Sequence, residues 1–207
     1  MYKKLAELID CLKQHQGALT LHERCFIYNL LSDAAYELIQ ISHPVLNVKL
    51  VPQERVIDND YNPNKVASPE YRLLSKSIKT DGLTMPVVVG GHDAESQNYY
   101  IVDGYHRSKL IKSDSIINES LNGLIPVSIL DSTLDQRMAS SVRHNVARGV
   151  HQVDLTANLI VKLKAMNWLD EDIASELGMD KDEVLRMQQT TGLAEAFKDH
   201  TFSKAWE

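Results

Sequence analysis

The sequence predicts an α/β protein of the α+β kind, with a mixed core over 44–131, a helical extension over 1–43 and an all-α region over 132–207. Apolar runs of strand length, "LTMPVVVGG", "NYYIVDG" and "LIPVSILD", alternate in the middle of the chain with the helical patterns "SPEYRLLSKSIKTDG" and "YHRSKLIKS". The flanks carry apolar residues at helical spacing. A glycine turn between two short helices, at about 170–190, reads as a helix-turn-helix.

Leu5, Leu8, Ile9 and Leu12 keep helical spacing over Tyr2 to Lys13, and a second helix follows the break at "HQGALT", from about Leu21 to Ile41. A short strand pattern from Val45 to Val51 passes into a Pro/Asn/Asp-rich connection that should wrap the surface instead of continuing a sheet, with Asn62-Pro63-Asn64 as its fixed point. Ser68 as N-cap, Pro69 at the first helical position and Gly82 as a stop delimit the next helix. With the three strands named above, the middle reads as a β-α-β-β-α-β unit. Helices follow at about 134–147, 153–166, 170–177, 181–190 and 192–198.

At 207 residues and 43% hydrophobic content, the chain can bury a substantial core. No run approaches about 18 apolar residues, and "MYKKLAELIDCLKQ" mixes both signs of charge where a signal peptide would be apolar, so a cytoplasmic protein without membrane attachment is expected. Cys11 and Cys25 sit inside helical patterns without CxxC spacing, which predicts buried free thiols. The net charge of -6 rules out a global positive field for nucleic acid, so any DNA contact must be local. The remaining histidines, His92 and His151 among them, show no zinc spacing, and no Walker loop, dinucleotide glycine fingerprint or Ser-His-Asp constellation is present. No metal-ligating set is therefore assigned.

In "VDGYHR" a strand ends at Asp103, Gly104 can take a positive φ, and Tyr105 to Arg107 open a helix whose first N–H groups and dipole favour an anion. Arg107 would add a bidentate charge to a phosphate. The plainer reading is an ordinary strand-turn-helix with solvated side chains. Glu70 falls in the first turn of the helix that starts at Ser68, where a solvated acid interacts favourably with the helix dipole.

In "EDIASELGMDKDEVLRMQQ", Ala174, Gly178 and Val184 have the spacing that lets two helices pack across a glycine corner, where a β-branched residue at 178 should clash and a left-handed backbone is expected. Lys181, Arg186, Gln188 and Gln189 are its DNA-facing candidates. Residues 150–207 hold six Lys/Arg against eleven Asp/Glu, so weak binding to arbitrary duplex is expected from the protein alone.

The ordered set "YNPN", "SIKTDGLTMPVVV", "YYIVDGYHRSKLI" and "RHNVARGVHQVDLTANLIVKL" resembles the ParB/sulfiredoxin-like nucleotide-binding superfamily over roughly residues 48–190, which implies a ParB-N/sulfiredoxin-like core. The turn is similar to the Asp-Gly-x-His-Arg version that holds nucleotide phosphates in ParB-like serine kinases and phosphorothioate-defence proteins. The resemblance implies phosphate contacts at Gly104, Tyr105, His106 and Arg107, further nucleotide contacts at Asn62, Asn145 and Arg148, and catalytic roles for His106, Glu70 and Asp103, the last a polar or metal-associated carboxylate. Sulfiredoxins place their reactive cysteine where this chain has Tyr105, so sulfinic-acid repair is not expected. His144 stands where ParB proteins have a glutamate, and a neutral imidazole is a poor ligand for a hard cation. The nucleotide implied is therefore ATP or ADP in preference to CTP, with Mg²⁺ as an accompanying ion.

Over its whole length the chain resembles IbrB-like proteins of enterobacterial mobile elements. That implies regulation of transcription, activation of prophage-borne genes, a PAPS-reductase-like partner called IbrA, and allows a homodimer. The alternative is an enzyme that hydrolyses or transfers phosphate from ATP or ADP.

Overall fold

The computed structural model describes residues 2–58, 68–91, 97–131, 133–146 and 153–196. Two helices open the chain, α1 (Tyr2–His15) and α2 (Leu21–Ile39), the second started by a capping box between Thr20 and Glu23. Then come β1 (Val48–Pro52), β2 (Val56–Ile57), α3 (Ser68–Asp81), β3 (Val87–Gly90), β4 (Tyr99–Asp103), α4 (Tyr105–Ser113), α5 (Ser115–Ser120) and β5 (Leu124–Leu130). The chain continues through α6 (Leu134–Val146), α7 (Val153–Ala165), α8 (Asp170–Leu177) and α9 (Lys181–Ala196).

The strands form one mixed sheet in the order β1-β5-β3-β4-β2. β3 runs parallel to β5 and antiparallel to β4, while β1 runs antiparallel to β5. The core side of this sheet, Val51, Val87, Val89, Ile101, Ile125 and Val127, packs on Ile78, Leu110, Ile111 and Ile117 from α3, α4 and α5. A second cluster joins Met138 of α6 to Leu159, Ile160 and Leu163 of α7, Ile173 and Leu177 of α8, and Val184 of α9. Because α6 also packs on β4, it is the element that links the sheet to the helix-turn-helix.

α2 docks on β1 through polar groups. The Asn29 side chain donates to the Leu50 carbonyl at 2.9 Å and accepts from the Leu50 amide at 2.8 Å, so it satisfies a strand edge as a neighbouring strand would. Ser32 donates to the Val48 carbonyl, and Lys49 reaches back to the Asn29 carbonyl. The apolar residues Phe26, Leu30 and Leu38 of α2 and Leu5 and Leu8 of α1 stay exposed.

Several expectations need correction. Cys11 is exposed and Cys25 only half-buried, because α1 and α2 bury no residue fully. Burial still pushes the Cys25 thiol up. The connection after β1 does extend the sheet: Val56 and Ile57 form β2, which pairs in parallel with Tyr99 and Tyr100. α5 was not expected; Asp114 ends α4 and caps α5 by accepting from the amides of Ile116 and Ile117. The two final helices expected at 181–190 and 192–198 are one over the described residues, since α9 runs through Gly192.

Candidate functional site

The turn after β4 begins with a defect in the strand. Val88 pairs with Asp103 but Val89 pairs with Ile101, so Val102 is an extra residue that breaks the alternation of faces. Ile101, Val102 and Asp103 are consequently all buried, and the Asp103 carboxylate is aimed inward where an unbroken strand would turn alternate side chains out. Gly104 then takes φ +91, a conformation that only glycine adopts readily, and starts α4 with no side-chain cap.

Arg107 is folded back across that glycine. A Cβ at position 104 would stand 2.9 Å from Arg107 Nη2 and 3.0 Å from Cζ, so the Gly-x-x-Arg spacing is a steric requirement as well as a conformational one. The guanidinium donates to the Asp103 carboxylate at 3.1 Å and to the carbonyls of Met85 and Pro86 at 2.9 and 2.7 Å. Both members of the ion pair are nearly buried. Arg107 therefore has a structural role, whatever it adds toward a phosphate. Arg107 binds the start of α4 to the segment entering β3, and the Asp103 carboxylate is engaged in holding it. The acid-then-base spacing of Asp103 and Arg107 at i, i+4 was a legible signal for that pair.

His106 lies between two aromatic edges, with ring centroids 5.2 Å from Tyr105 and 6.1 Å from Tyr71, both near-perpendicular. Tyr71 belongs to the first turns of α3, so the N-terminal ends of α3 and α4 converge there. Glu70, one residue before Tyr71, is exposed. The Ser108 hydroxyl, at the end of the first turn of α4, is fully buried without a hydrogen-bond partner. Sequence reasoning missed Tyr71, whose contact with His106 depends on how α3 docks.

Asn145 lies in the last turn of α6, with its side chain outside the described residues; Asn62 and Arg148 lie outside them altogether. Among the described residues no group of three or more His, Cys, Asp or Glu could hold a metal ion, and no helix is long and apolar enough to cross a membrane.

At the helix-turn-helix, Gly178 takes φ +65 and ends α8 by donating to the Ala174 carbonyl. No atom lies within 4 Å of a Cβ placed there, so the left-handed backbone, and not a clash, demands glycine. Among the DNA-facing candidates, Lys181 donates to Glu171 at 2.6 Å and Gln188 to Asp170 at 2.8 Å; Lys181, Arg186 and Gln189 are exposed. The hydrogen bond from Lys181 holds the Glu171 carboxyl below its ordinary range, and Glu171 in turn raises Lys181. Hydrogen bonds from Lys164 and then Gln188 lower Asp170 in the same way.

Residues 40–146 match the ParB N-terminal domain, and residues 151–199 match the IbrB-like C-terminal helix-turn-helix domain. The chain belongs to the ParB N-terminal domain family. Its ParB-like part takes in α6, the helix that bears on the sheet, and its IbrB-like part takes in α8 and α9. The chain is 45% identical over 163 residues to the uncharacterized protein YbdM of Escherichia coli (strain K12), covering 79% of this chain and 77% of YbdM. Among solved structures it is similar to ParB from Caulobacter crescentus complexed with CTP-gamma-S, at 18% identity, 72% of this chain, 83% of that one and a TM-score of 0.41. The same protein complexed to the centromeric parS site gives 18% identity, 72% and 76% coverage and a TM-score of 0.47.

Proposed function

We propose that this ParB-family chain is a nucleotide-operated regulator, in which the turn from Asp103 to Arg107 receives a nucleotide phosphate and α6 passes its occupancy to the helix-turn-helix. The observation that carries the reading is the convergence of the α3 and α4 N-termini at the Tyr71–His106 contact, beside a glycine N-cap with no side-chain cap. Two positive dipole ends and first-turn amides favour an anion there. In this reading His106 and the backbone of Gly104 and Tyr105 meet the phosphate, while Arg107, held by Asp103, keeps the turn in shape and adds its field. α6 packs on β4 and contributes Met138 to the helix-turn-helix cluster, which makes it the route between the two.

The base stays open in this proposal. A thermal-shift panel of ATP, ADP, AMP, CTP, GTP and PAPS, with and without Mg²⁺, tests it, since a ligand at 100 times its dissociation constant stabilises the fold by about 2.7 kcal/mol. One nucleotide should raise the melting temperature, and His106→Ala should abolish that rise; no shift from any member would sink the reading. DNA engagement, activation of prophage-borne genes with a PAPS-reductase-like IbrA partner, and homodimerisation extend the same proposal, and co-purification and sedimentation test the last two.

A second reading is phosphate hydrolysis or transfer. It draws on the Tyr71–His106 contact and on Glu70, an exposed carboxylate one residue before Tyr71. Phosphate release from ATP or ADP that scales with protein and disappears in Glu70→Gln would favour it over regulation alone.

A further inference from the structure

Arg137, near the start of α6, lies across the sheet face opposite the α3–α5 core. Its guanidinium stands 5.3 Å from the centroid of the Tyr100 ring. Its stem occupies the space that a side chain at Gly90 would need, since a Cβ there would overlap Arg137 Cδ. Gly90 and Tyr100 are paired across β3 and β4, so one strand gives up a side chain and its neighbour supplies a ring to seat this arginine. The residue is half-buried, and its Nε and Nη1 are buried without a hydrogen-bond partner.

An aromatic ring satisfies the face of a guanidinium, whereas its N–H donors lie in the plane and call for oxygen acceptors there. A buried charged donor without an acceptor is costly, so an arrangement built to hold one points to an acceptor that arrives from elsewhere. Arg107 and Arg143 have carboxylates, Asp103 and Glu176; Arg137 has none among the described residues. Ser141 follows one turn later on the same side of α6, and its buried hydroxyl is also without a partner. Two unfilled polar groups thus lie one turn apart on α6.

We propose that Arg137 and Ser141 form an oxyanion site between α6 and the sheet, which takes a phosphate or carboxylate group of a small ligand while Tyr100 stacks on the guanidinium. The site is separate from the turn at Gly104 and does not depend on nucleotide binding there. Because the neighbouring Met138 belongs to the helix-turn-helix cluster, filling the site would fasten α6 to the sheet.

The test follows the Arg137 Nε–Hε resonance by NMR in the full chain, assigned through its side chain and by its loss in Arg137→Lys, during separate titrations with inorganic phosphate and acetate. The resonance should move to saturation with at least one of them, and Ser141→Ala should weaken that binding about tenfold, as expected for a lost hydrogen bond to a charged group. The response should persist in His106→Ala, which disables the turn. A resonance unmoved by either anion at about 100 mM, where even a millimolar site would be filled, overturns the proposal. So does movement that vanishes in His106→Ala.

Discussion

A guanidinium held by two carbonyls and a buried carboxylate contributes to stability whether or not a phosphate is nearby. Arg107→Ala should destabilise the fold by about 3 kcal/mol, since it removes the guanidinium that pairs with the buried Asp103 carboxylate, and so lower the melting temperature by roughly 6–12 °C. Adding Asp103→Asn should recover part of the loss because the buried charge that Arg107 balanced is then gone; if Arg107→Ala melts like the parent, the arginine is not a brace. Loss of nucleotide binding in that variant would therefore say little about contact, and His106→Ala is the sharper probe. A different prediction holds at Gly178, where space is open and only φ is restrictive. Gly178→Ala and Gly178→Val should both cost about 1–2 kcal/mol, with Gly178→Asn milder, as a left-handed backbone implies. A valine far worse than alanine in thermal melts would restore the clash that the geometry removes.

At the scale of elements, α2 shows how polar chemistry can dock a helix whose apolar residues point away. Asn29→Ala should strip the Leu50 amide of its partner, leave the Leu50 carbonyl to the Cys25 thiol, and cost about 1–3 kcal/mol, with faster amide exchange at Leu50 as the direct readout. The same contact has a pH limb. The Asp33 carboxyl is held below the ordinary carboxylate range, chiefly by the hydrogen bond from Lys49 and then by Asn47. Its stabilising effect is present above the unfolded value of about 4 and fades as pH falls through the lowered folded value. Asp33→Asn should flatten that limb in acid denaturation; an unchanged limb would assign it to other carboxylates. The α8–α9 pair is legible from Ala174, Gly178 and Val184, because a glycine corner and helical spacing are local properties. The pairing of Lys181 with Glu171 and Gln188 with Asp170 was not, because it depends on how α8 lies across α9.

For the whole molecule, those pairings commit Lys181 and Gln188 of the helix-turn-helix to its own acids. The protein alone should bind arbitrary duplex DNA weakly at physiological salt, and Asp170→Asn with Glu171→Gln should strengthen binding and steepen its salt dependence by about one to two phosphate contacts. A filter-binding titration in which the double variant behaves as the parent would show that these side chains do not reach DNA. Local pattern in the sequence fixes the run of elements apart from β2, α5 and the unbroken α9, together with the mixed core between helical flanks, the glycine turn after β4 and the glycine corner of the helix-turn-helix. Each rests on periodicity, capping or a required positive φ within a few residues. Tertiary packing settles the rest: that Val102 bulges from β4, that Arg107 also donates to two carbonyls from the approach to β3, that Tyr71 comes to His106, and that Arg137 crosses Gly90 onto Tyr100. The reason is that what a long charged side chain does is set by the acceptors and empty space within its reach, and these are supplied by strands and helices distant in the chain.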